Sequence, residues 1–322
     1  MRFDSRGLVS TYLSQWMPTG DIRSSDAGYL WGGTSGTVLS SLEKLTFSTE
    51  TISNPAAVLS SVLSDGTGFA NSGVAGYVAG GRNTTVAVNK IDKLTFATEA
   101  KSSLTDTLTA TSSNSAGFAN SGVAGYVAGG YDNSYNYLDT VQKVLFSTDT
   151  KSVATAVTTT AVADCQAMSN YGVAGYIGGG SDGAILSRVN KFVFSNETMS
   201  NLGNILTTAV SYFSAGADQT VAGYFAGGYN AGTYYSRFDK IAFATDTKST
   251  TSATLASTRW TPQAMSNSGS AGYFAGGRNS SATVLTAIEK LTFTTTEVSS
   301  TLAAVLTTAR MFSQSFSNEG QF

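Results

Sequence analysis

Histidine is absent from the 322-residue sequence, and cysteine occurs only once, as Cys165. Without imidazole, the chain has no Ser-His-Asp or Cys-His nucleophile and no histidine ligand for zinc or copper. A single cysteine cannot form an internal disulfide, and we expect this one to be a small buried side chain. The sequence therefore predicts a non-enzymatic protein with no catalytic residues, no metal site and no cofactor.

Charged residues of both signs are also scarce. The chain has 19 Lys and Arg against 21 Asp and Glu, with a net charge of −2 and a pI near 5.2. No basic surface is expected that would attract nucleic acid or anionic lipid. The N-terminus lacks the apolar core of a secretory signal, and no segment approaches the length of a membrane span. We expect no nucleic-acid partner, no membrane insertion and synthesis in a cytosol.

Proline occurs only three times and glycine 34 times, which favours short strands joined by tight turns. Turn residues and alternating hydrophobicity mark four short strands in each of six repeats. Each repeat also contains an acidic or amide residue, a lysine and an apolar-x-Phe segment, as in Glu43 to Phe47. Four antiparallel strands per unit of about 49 residues predict an all-β, six-bladed propeller. The motif Gly-Tyr-x-x-Gly-Gly recurs at spacings of 48 to 50 residues, beginning at Gly28, Gly76, Gly125, Gly175, Gly223 and Gly272.

The double glycine that closes the second strand, at a period near 50, resembles the kelch repeat, and all six copies take part. Kelch blades usually carry a Trp beyond the third-strand aromatic, whereas Ser or Thr stands there in this sequence. The resemblance implies a kelch-like propeller. The Ser/Thr-rich, histidine-free form of the repeat, Ala-Gly-Tyr-x-Ala-Gly-Gly, is similar to arrays in tailed-phage fibre and virion-associated proteins. That likeness implies a virion location.

The repeats assign residues 15–322 to the propeller and residues 1–14 to an N-terminal extension. Two segments compete to supply the first strand of the first blade. Residues 310–318 match the first strand of the sixth blade, whereas an N-terminal segment around Trp16 stands in the same phase of the repeat. Pairing of the C-terminal segment would cover an exposed sheet edge. We expect that segment to close the ring, with N-terminal closure or exchange with a neighbouring subunit as alternatives.

The loop between the second and third strands carries all of the length variation between blades. The third-strand Phe lies 29 residues before the next Gly-Tyr in every full interval, whereas the second Gly of Gly-Gly lies 14 to 16 residues before that Phe. Variable loops on a fixed scaffold are common binding sites, and these are rich in Tyr, Asn, Ser and Arg. The candidate ligand-binding residues are Arg82, Tyr131, Tyr135, Tyr137, Arg188, Tyr229, Tyr234, Tyr235, Arg237, Trp260 and Arg278.

The kelch-like topology places the connections between blades on the same face as these loops, which would bring Trp260, Arg259 and Arg310 to that side. The alternative for the loops is that their tyrosines pack against neighbouring blades. We expect the six repeat lysines, each followed by an acid at the next turn, to have a structural role because exposed ion pairs contribute little. The lysines are Lys44, Lys93, Lys143, Lys191, Lys240 and Lys290, and the acids are Glu50, Glu99, Asp149, Glu197, Asp246 and Glu297.

Paired carboxylates could hydrolyse a glycosidic bond, but the signal for them is weak. Two candidates lie in ordinary Ser-Asp-Gly turns. The candidates on or near the variable loops are Asp65, Asp132, Asp139, Asp164 and Asp182.

These observations support one leading hypothesis and two competitors. The leading hypothesis is a non-enzymatic virion-associated adhesin or fibre module that binds a host-surface polysaccharide or a neighbouring virion protein through the variable loops. One competitor is a cytoplasmic kelch-type scaffold for protein interactions. The other is a polysaccharide hydrolase, and a purely structural role in the virion is also open. The sequence leaves the ligand, the host and the oligomeric state open, including a homo-oligomer.

Overall fold

A computed structural model describes residues 27–294 and 296–318. Within these residues the chain forms six four-stranded antiparallel sheets, arranged as the six blades of a β-propeller. The predicted N-terminal extension 1–14 and the segment around Trp16 lie outside the described residues. No helix in the described part of the chain is long and apolar enough to span a membrane.

The strands are short, and each blade contains four of them. In chain order they are β1 (Ala27–Trp31), β2 (Leu42–Thr46) and β3 (Thr51–Ser53) of blade 1; β4 (Thr67–Asn71), β5 (Ala75–Ala79), β6 (Ile91–Thr95) and β7 (Ala100–Ser103) of blade 2; β8 (Ala116–Asn120), β9 (Ala124–Ala128), β10 (Thr140–Leu145) and β11 (Thr150–Val157) of blade 3; β12 (Gln166–Asn170), β13 (Ala174–Gly178), β14 (Val189–Val193) and β15 (Thr198–Asn201) of blade 4; β16 (Ser214–Asp218), β17 (Ala222–Ala226), β20 (Arg237–Ala242) and β21 (Thr247–Thr254) of blade 5, with the hairpin β18 (Tyr229–Asn230) and β19 (Thr233–Tyr234); β22 (Gln263–Asn267), β23 (Ala271–Ala275), β24 (Ala287–Thr292) and β25 (Ser299–Val305) of blade 6; and β26 (Gln314–Ser317), the fourth strand of blade 1.

The second strand of each blade is buried along its whole length, as in β5 with the sequence Ala-Gly-Tyr-Val-Ala. A Cβ on Gly76 would lie 2.1 Å from the ring of Phe316 in blade 1, so the glycine makes room for an aromatic side chain of the neighbouring blade. The Gly-Gly pair that follows has φ of +63° at Gly80 and +94° at Gly81. Glycine adopts these angles without strain, which explains why the repeat ends its second strand in this way.

Strand β26 is the inner strand of blade 1, the position that the first strand in chain order (β4, β8, β12, β16 or β22) holds in each other blade. It pairs antiparallel with β1, and Phe316 stands opposite Tyr29. The buried Phe316 ring stacks on Tyr29 with centroids 5.5 Å apart and lies 6.1 Å from Phe96 of blade 2. On its other side, the Ser266 N–H of blade 6 donates to the Ser317 hydroxyl at 2.8 Å. The C-terminal strand is therefore held by three blades at once.

The six repeat lysines form ion pairs across blade boundaries. Lys44 of blade 1 lies 2.6 Å from Glu99 of blade 2, and the Tyr29 hydroxyl donates to the same carboxylate. Lys290 of blade 6 lies 2.6 Å from Glu50 of blade 1, which completes the circle. Each partly exposed pair contributes about 1 kcal/mol or less, but together they link every blade to the next. The pairs are Lys44–Glu99, Lys93–Asp149, Lys143–Glu197, Lys191–Asp246, Lys240–Glu297 and Lys290–Glu50.

The acidic or amide residue before each lysine binds the connection from the preceding blade. In blade 1, Glu43 accepts hydrogen bonds from the N–H groups of Thr307 at 2.7 Å and Thr308 at 3.0 Å. In blade 2, Asp92 accepts one from the Ser60 N–H at 2.7 Å. These side chains satisfy backbone donors that would otherwise be left unpaired in a partly buried loop. The repeat motif thus positions the connections as well as the strands.

Two buried ion pairs reinforce this arrangement in blades 1 and 6. Arg310 lies 2.6 Å from Glu43, and Arg259 pairs with Glu289. All four side chains are 2% exposed or less. Both guanidinium groups are engaged inside the propeller, so neither Arg259 nor Arg310 is free to contact a ligand.

Candidate functional site

The variable loops and the connections between blades lie on one face of the propeller, which we call the loop face. In each blade the first strand begins beside the end of the second, as where Thr67 pairs with Ala79. Isolated bridges such as Trp260 to Arg278 continue this pairing into the loops. Residues of the variable loops and of the connections are therefore neighbours on one surface.

The loop of blade 3, residues 131–137, is ordered by its own polar side chains. The Asp132 carboxylate accepts hydrogen bonds from the Asn136 side chain at 2.8 Å and from the N–H groups of Asn136 at 2.9 Å and Ser134 at 2.7 Å. These hydrogen bonds hold the pKa of Asp132 below its usual value. The Asn133 side chain accepts a hydrogen bond from a backbone N–H of blade 2 at 2.7 Å. An ordered loop loses less entropy when it binds a ligand.

Three of the predicted tyrosines gather on this loop. Tyr135 at its tip is 63% exposed and has φ of +60°, a strained conformation for a residue other than glycine. The Arg82 guanidinium lies 4.9 Å from the centre of its ring. The Tyr131 ring lies 6.3 Å from Tyr135 and 4.9 Å from Tyr137. We call Arg82, Tyr131, Tyr135 and Tyr137 the Tyr131 patch.

A second group of predicted residues comes together on blades 5 and 6. The Tyr229 ring packs edge-on against Tyr234 at 5.3 Å and lies 6.2 Å from Trp260. The Arg278 guanidinium lies 5.6 Å from the Trp260 ring. We call Tyr229, Tyr234, Trp260 and Arg278 the Trp260 patch.

Between the two patches, six residues form a ring around the propeller axis. Each connection between blades contributes one of them. All six have φ between +52° and +57°, although none is glycine. Five backbone hydrogen bonds join neighbouring members, such as the Asn114 N–H to the Asp65 carbonyl at 2.7 Å. Non-glycine residues persist in this region only where the surroundings hold them, and such positions cluster at functional sites. The members of this axial ring are Asp65, Asn114, Asp164, Tyr212, Thr261 and Phe312.

A cavity of about 50 Å³ lies on the axis, lined by the axial ring and by the first residues of the six inner strands. It has room for a few water molecules. Among the described residues that line it, none is Lys or Arg. Burial raises the pKa of both Asp65 and Asp164 to about 6. The cavity is therefore small, polar and acidic.

Tyr212 of the axial ring connects the two patches. Its ring packs edge-on against Trp260 at 5.3 Å and Phe312 at 5.9 Å. Its hydroxyl lies beside the Asp164 carboxylate, which also accepts a hydrogen bond from the Tyr131 hydroxyl at 3.0 Å. The Tyr131 patch, the axial ring and the Trp260 patch thus form one continuous surface of aromatic, carboxylate, amide and guanidinium groups.

Three of the predicted site residues lie apart from this surface. Arg188 is engaged with Asp182 at 3.3 Å, and its side chain is 11% exposed. Tyr235 packs against the core between blades 4 and 5, and Arg237 stacks on it at 4.2 Å while reaching Asp239 at 3.3 Å. The contacts of these three residues agree with the alternative that loop side chains pack against the blades.

Of the other candidate reactive groups near the loop face, Asp139 is exposed, whereas Asp132, Asp182 and Cys165 are engaged or protonated. Asp132 shapes its own loop and Asp182 pairs with Arg188. Cys165 is fully buried, and burial raises the pKa of its thiol to about 12, so it stays protonated at neutral pH. In the described ranges, no group of three or more Cys, Asp or Glu side chains is placed to hold a metal ion.

The axial ring was not recognised as a set from the sequence, although a signal for it exists. Each of its first five members lies 11 residues before the Gly of a Gly-Tyr motif, as Asp65 does before Gly76 and Tyr212 before Gly223. The phase is constant but the residue type changes from blade to blade. Of its members, only Asp65 and Asp164 stand out in the sequence, as weak candidates for hydrolysis.

We expect Asp164→Asn to stabilise the protein at pH 7.5 by on the order of 2 kcal/mol. Burial raises the pKa of Asp164 to about 6, so the folded state binds a proton more tightly than the unfolded state. The contribution of Asp164 to stability is therefore fully present below about pH 4 and is lost as the pH rises through 6. The groups that face this carboxyl group are unchanged in the variant; they are Asp65, Tyr131, Tyr212 and Asn114.

Thermal unfolding between pH 5 and pH 7.5 measures this effect. The variant should lose part of the pH dependence seen in the wild type. The control Asp106→Asn changes a carboxylate outside the cavity and should leave the dependence intact. Equal pH dependence in wild type and Asp164→Asn would contradict the prediction.

No protein-family model and no curated protein matches this sequence. Among solved structures, that of YjhT is similar to the chain, with 15% sequence identity and a TM-score of 0.68. The likeness covers 89% of this chain and 99% of that chain. At this level of identity it shows the fold alone, a six-bladed β-propeller.

Proposed function

We propose that the protein is a non-enzymatic recognition module of a virus particle and that its loop face binds host-surface polysaccharide. The observation that carries the proposal is the continuous surface formed by the Tyr131 patch, the axial ring and the Trp260 patch. It gathers eight of the eleven residues that the sequence singles out for binding.

The chemistry of this surface suits sugars. Aromatic rings provide flat apolar faces for the C–H faces of a pyranose, and Arg and Asn side chains hydrogen-bond to hydroxyl and carboxylate groups. Tyr135 is held at the tip of an ordered loop with Arg82 against its ring. Because these side chains are already ordered, they lose little conformational entropy when a ligand binds.

The setting in a virion is supported by the resemblance of the repeat to kelch-like arrays of tailed-phage fibre proteins. A neighbouring virion protein, or a second copy of this chain, is the other partner that such a surface accommodates. In this proposal the protein is synthesised in the host cytoplasm and acts on the assembled particle.

A hydrolytic function is less well supported by the geometry. Asp65 and Asp164 are the carboxylates that approach each other, and they face a cavity that holds only a few water molecules. The two carboxyl groups of a glycoside hydrolase flank the scissile glycosidic bond, and a cavity of about 50 Å³ has no room for the sugars on either side of that bond. Asp132 is engaged within its own loop.

Binding of purified protein to intact candidate host cells and to their extracted surface polysaccharide tests the proposal. We expect saturable binding that weakens at least tenfold in Tyr135→Ala and in Trp260→Ala, because central aromatic side chains dominate interface energies. The matched control is Tyr171→Ala, which removes a partly exposed tyrosine from the turn between β12 and β13 on the opposite face.

The outcomes separate the candidate functions. Binding lost in the loop-face variants and kept in Tyr171→Ala supports the proposal. Saturable binding to a virion protein with no affinity for polysaccharide would replace the glycan by a protein partner. Release of reducing ends from the polysaccharide, abolished by a loop-face carboxylate substitution, would overturn the non-enzymatic assignment.

A further inference from the structure

The axial cavity contains buried polar atoms that make no hydrogen bond within the described part of the chain. Asp164 is 6% exposed. Its Oδ2 accepts a hydrogen bond from the Tyr131 hydroxyl, and the Tyr212 hydroxyl and the Asn114 side chain lie beside the carboxyl group, but its Oδ1 has no partner among the described residues. Thr261, on another blade connection, is 3% exposed, and its hydroxyl also has none. Buried polar atoms are nearly always paired in folded proteins. Because an ionised carboxylate oxygen can only accept, the arrangement indicates a ligand group that donates hydrogen bonds.

The charge of the cavity favours a cationic donor. Asp65 and Asp164 both line it, and the described residues around it include no Lys or Arg. Arg82 attracts Asp65 from outside the cavity, but its guanidinium stacks on Tyr135 and donates to the Thr85 carbonyl at 3.3 Å. The negative charge of the two carboxylates is therefore not neutralised within the cavity itself.

Aromatic side chains complete the opposite side of the cavity. Tyr212 and Phe312 line it, and Trp260 packs on both, at 5.3 Å and 5.2 Å. Aromatic rings stabilise an adjacent cation through the negative charge of their faces. Carboxylates on one side and aromatic rings on the other are the surroundings that bind organic ammonium groups.

We propose that the axial cavity binds a primary ammonium group, the protonated amine of an amino sugar or of a lysine side chain. Asp164 and Asp65 accept its N–H groups, and Tyr212 and Phe312 enclose it. The cavity of about 50 Å³ admits the ammonium group with the carbon next to it, and the rest of the ligand lies on the loop face. This site rests on the cavity alone and does not require that the natural ligand be a polysaccharide.

An NMR titration of the whole protein at pH 7.5 with three probes tests the site. The probes are glucosamine, Nα-acetyllysine and the uncharged N-acetylglucosamine. We expect the amines to bind and N-acetylglucosamine to bind at least tenfold more weakly, since hydrogen bonds to charged groups are the strong ones. Tighter binding of glucosamine assigns the site to amino sugars, and tighter binding of acetyllysine assigns it to peptides.

Variants and pH locate the binding in the cavity. Asp164→Asn should weaken glucosamine binding at least tenfold, whereas the control Asp106→Asn should not change it. Binding should also weaken at pH 5, because the pKa of both Asp65 and Asp164 is about 6 and protonation removes their charge. Near-ultraviolet circular dichroism verifies that each variant is folded.

Three results would overturn the site. They are failure of both amines to bind the folded wild type, equal binding of N-acetylglucosamine, and undiminished binding of glucosamine by folded Asp164→Asn. Because the probes are single sugars and amino acids, these results are independent of whether the loop face binds cells or extracted polysaccharide.

Discussion

Arg310→Met is expected to lower the free energy of unfolding by about 3–5 kcal/mol, because it leaves the buried Glu43 carboxylate without its cation. The Arg310 guanidinium lies 2.6 Å from Glu43 and also donates to the Gly32 carbonyl at 3.0 Å. Both charged side chains are 1% exposed, so water cannot replace the lost partner. Urea unfolding of the wild type and the variant measures the difference.

Two further variants make this prediction specific. Glu99→Gln breaks the partly exposed pair with Lys44 and should cost about 1 kcal/mol or less. The double variant Arg310→Met/Glu43→Met removes both buried charges, and its cost should be well below the sum of the two single changes. If Arg310→Met lowered the free energy of unfolding no more than Glu99→Gln does, the prediction would be contradicted. The buried pair would then not help to hold blade 1 to the connection from blade 6.

Phe316→Ala should destabilise the protein by about 3–5 kcal/mol, the usual range for a fully buried Phe. Its ring fills the space beside Gly76 and stacks on Tyr29. Thermal or urea unfolding tests this, and the variant should also lose cooperativity if blade 1 opens before the others.

Phe118→Ala is the matched control because Phe118 stands opposite Tyr126 in blade 3 as Phe316 stands opposite Tyr29 in blade 1. If the C-terminal strand is an integral inner strand, the two variants should lose similar stability. A loss below about 1 kcal/mol in Phe316→Ala alone would show that another segment can take the place of β26.

The six-bladed fold could be predicted from the sequence because its signals are local and repeated. A Gly-Tyr second strand and an apolar-x-Phe third strand recur in a constant phase, so each copy predicts the same hairpin. The partner of each repeat lysine could not be predicted in this way. A lysine and an acid at fixed positions in every repeat are equally consistent with pairing inside a blade and pairing to the next blade, and only the packing of blades selects Glu99 for Lys44.

The candidate site was predicted in part. Tyr131 and Tyr135 lie in a loop whose length and composition vary between blades, which is a signal that the sequence carries, whereas Trp260 lies in a connection between blades and was predicted from the topology. Arg310 shows the limit, because an arginine in a connection looks the same whether it faces solvent or a buried glutamate. The axial ring could not be predicted from the sequence for a different reason. Its members share a backbone conformation and a phase but no residue type, so no motif identifies them.

Hydrogen exchange measured by mass spectrometry, with and without extracted host polysaccharide, tests whether the loop face is the binding surface. We expect slower exchange in peptides that contain residues 131–137, 229–235 and 260, and unchanged exchange in the turn at Tyr171 on the opposite face. Protection confined to the opposite face, or no protection at saturating polysaccharide, would contradict the assignment of the loop face as the binding surface.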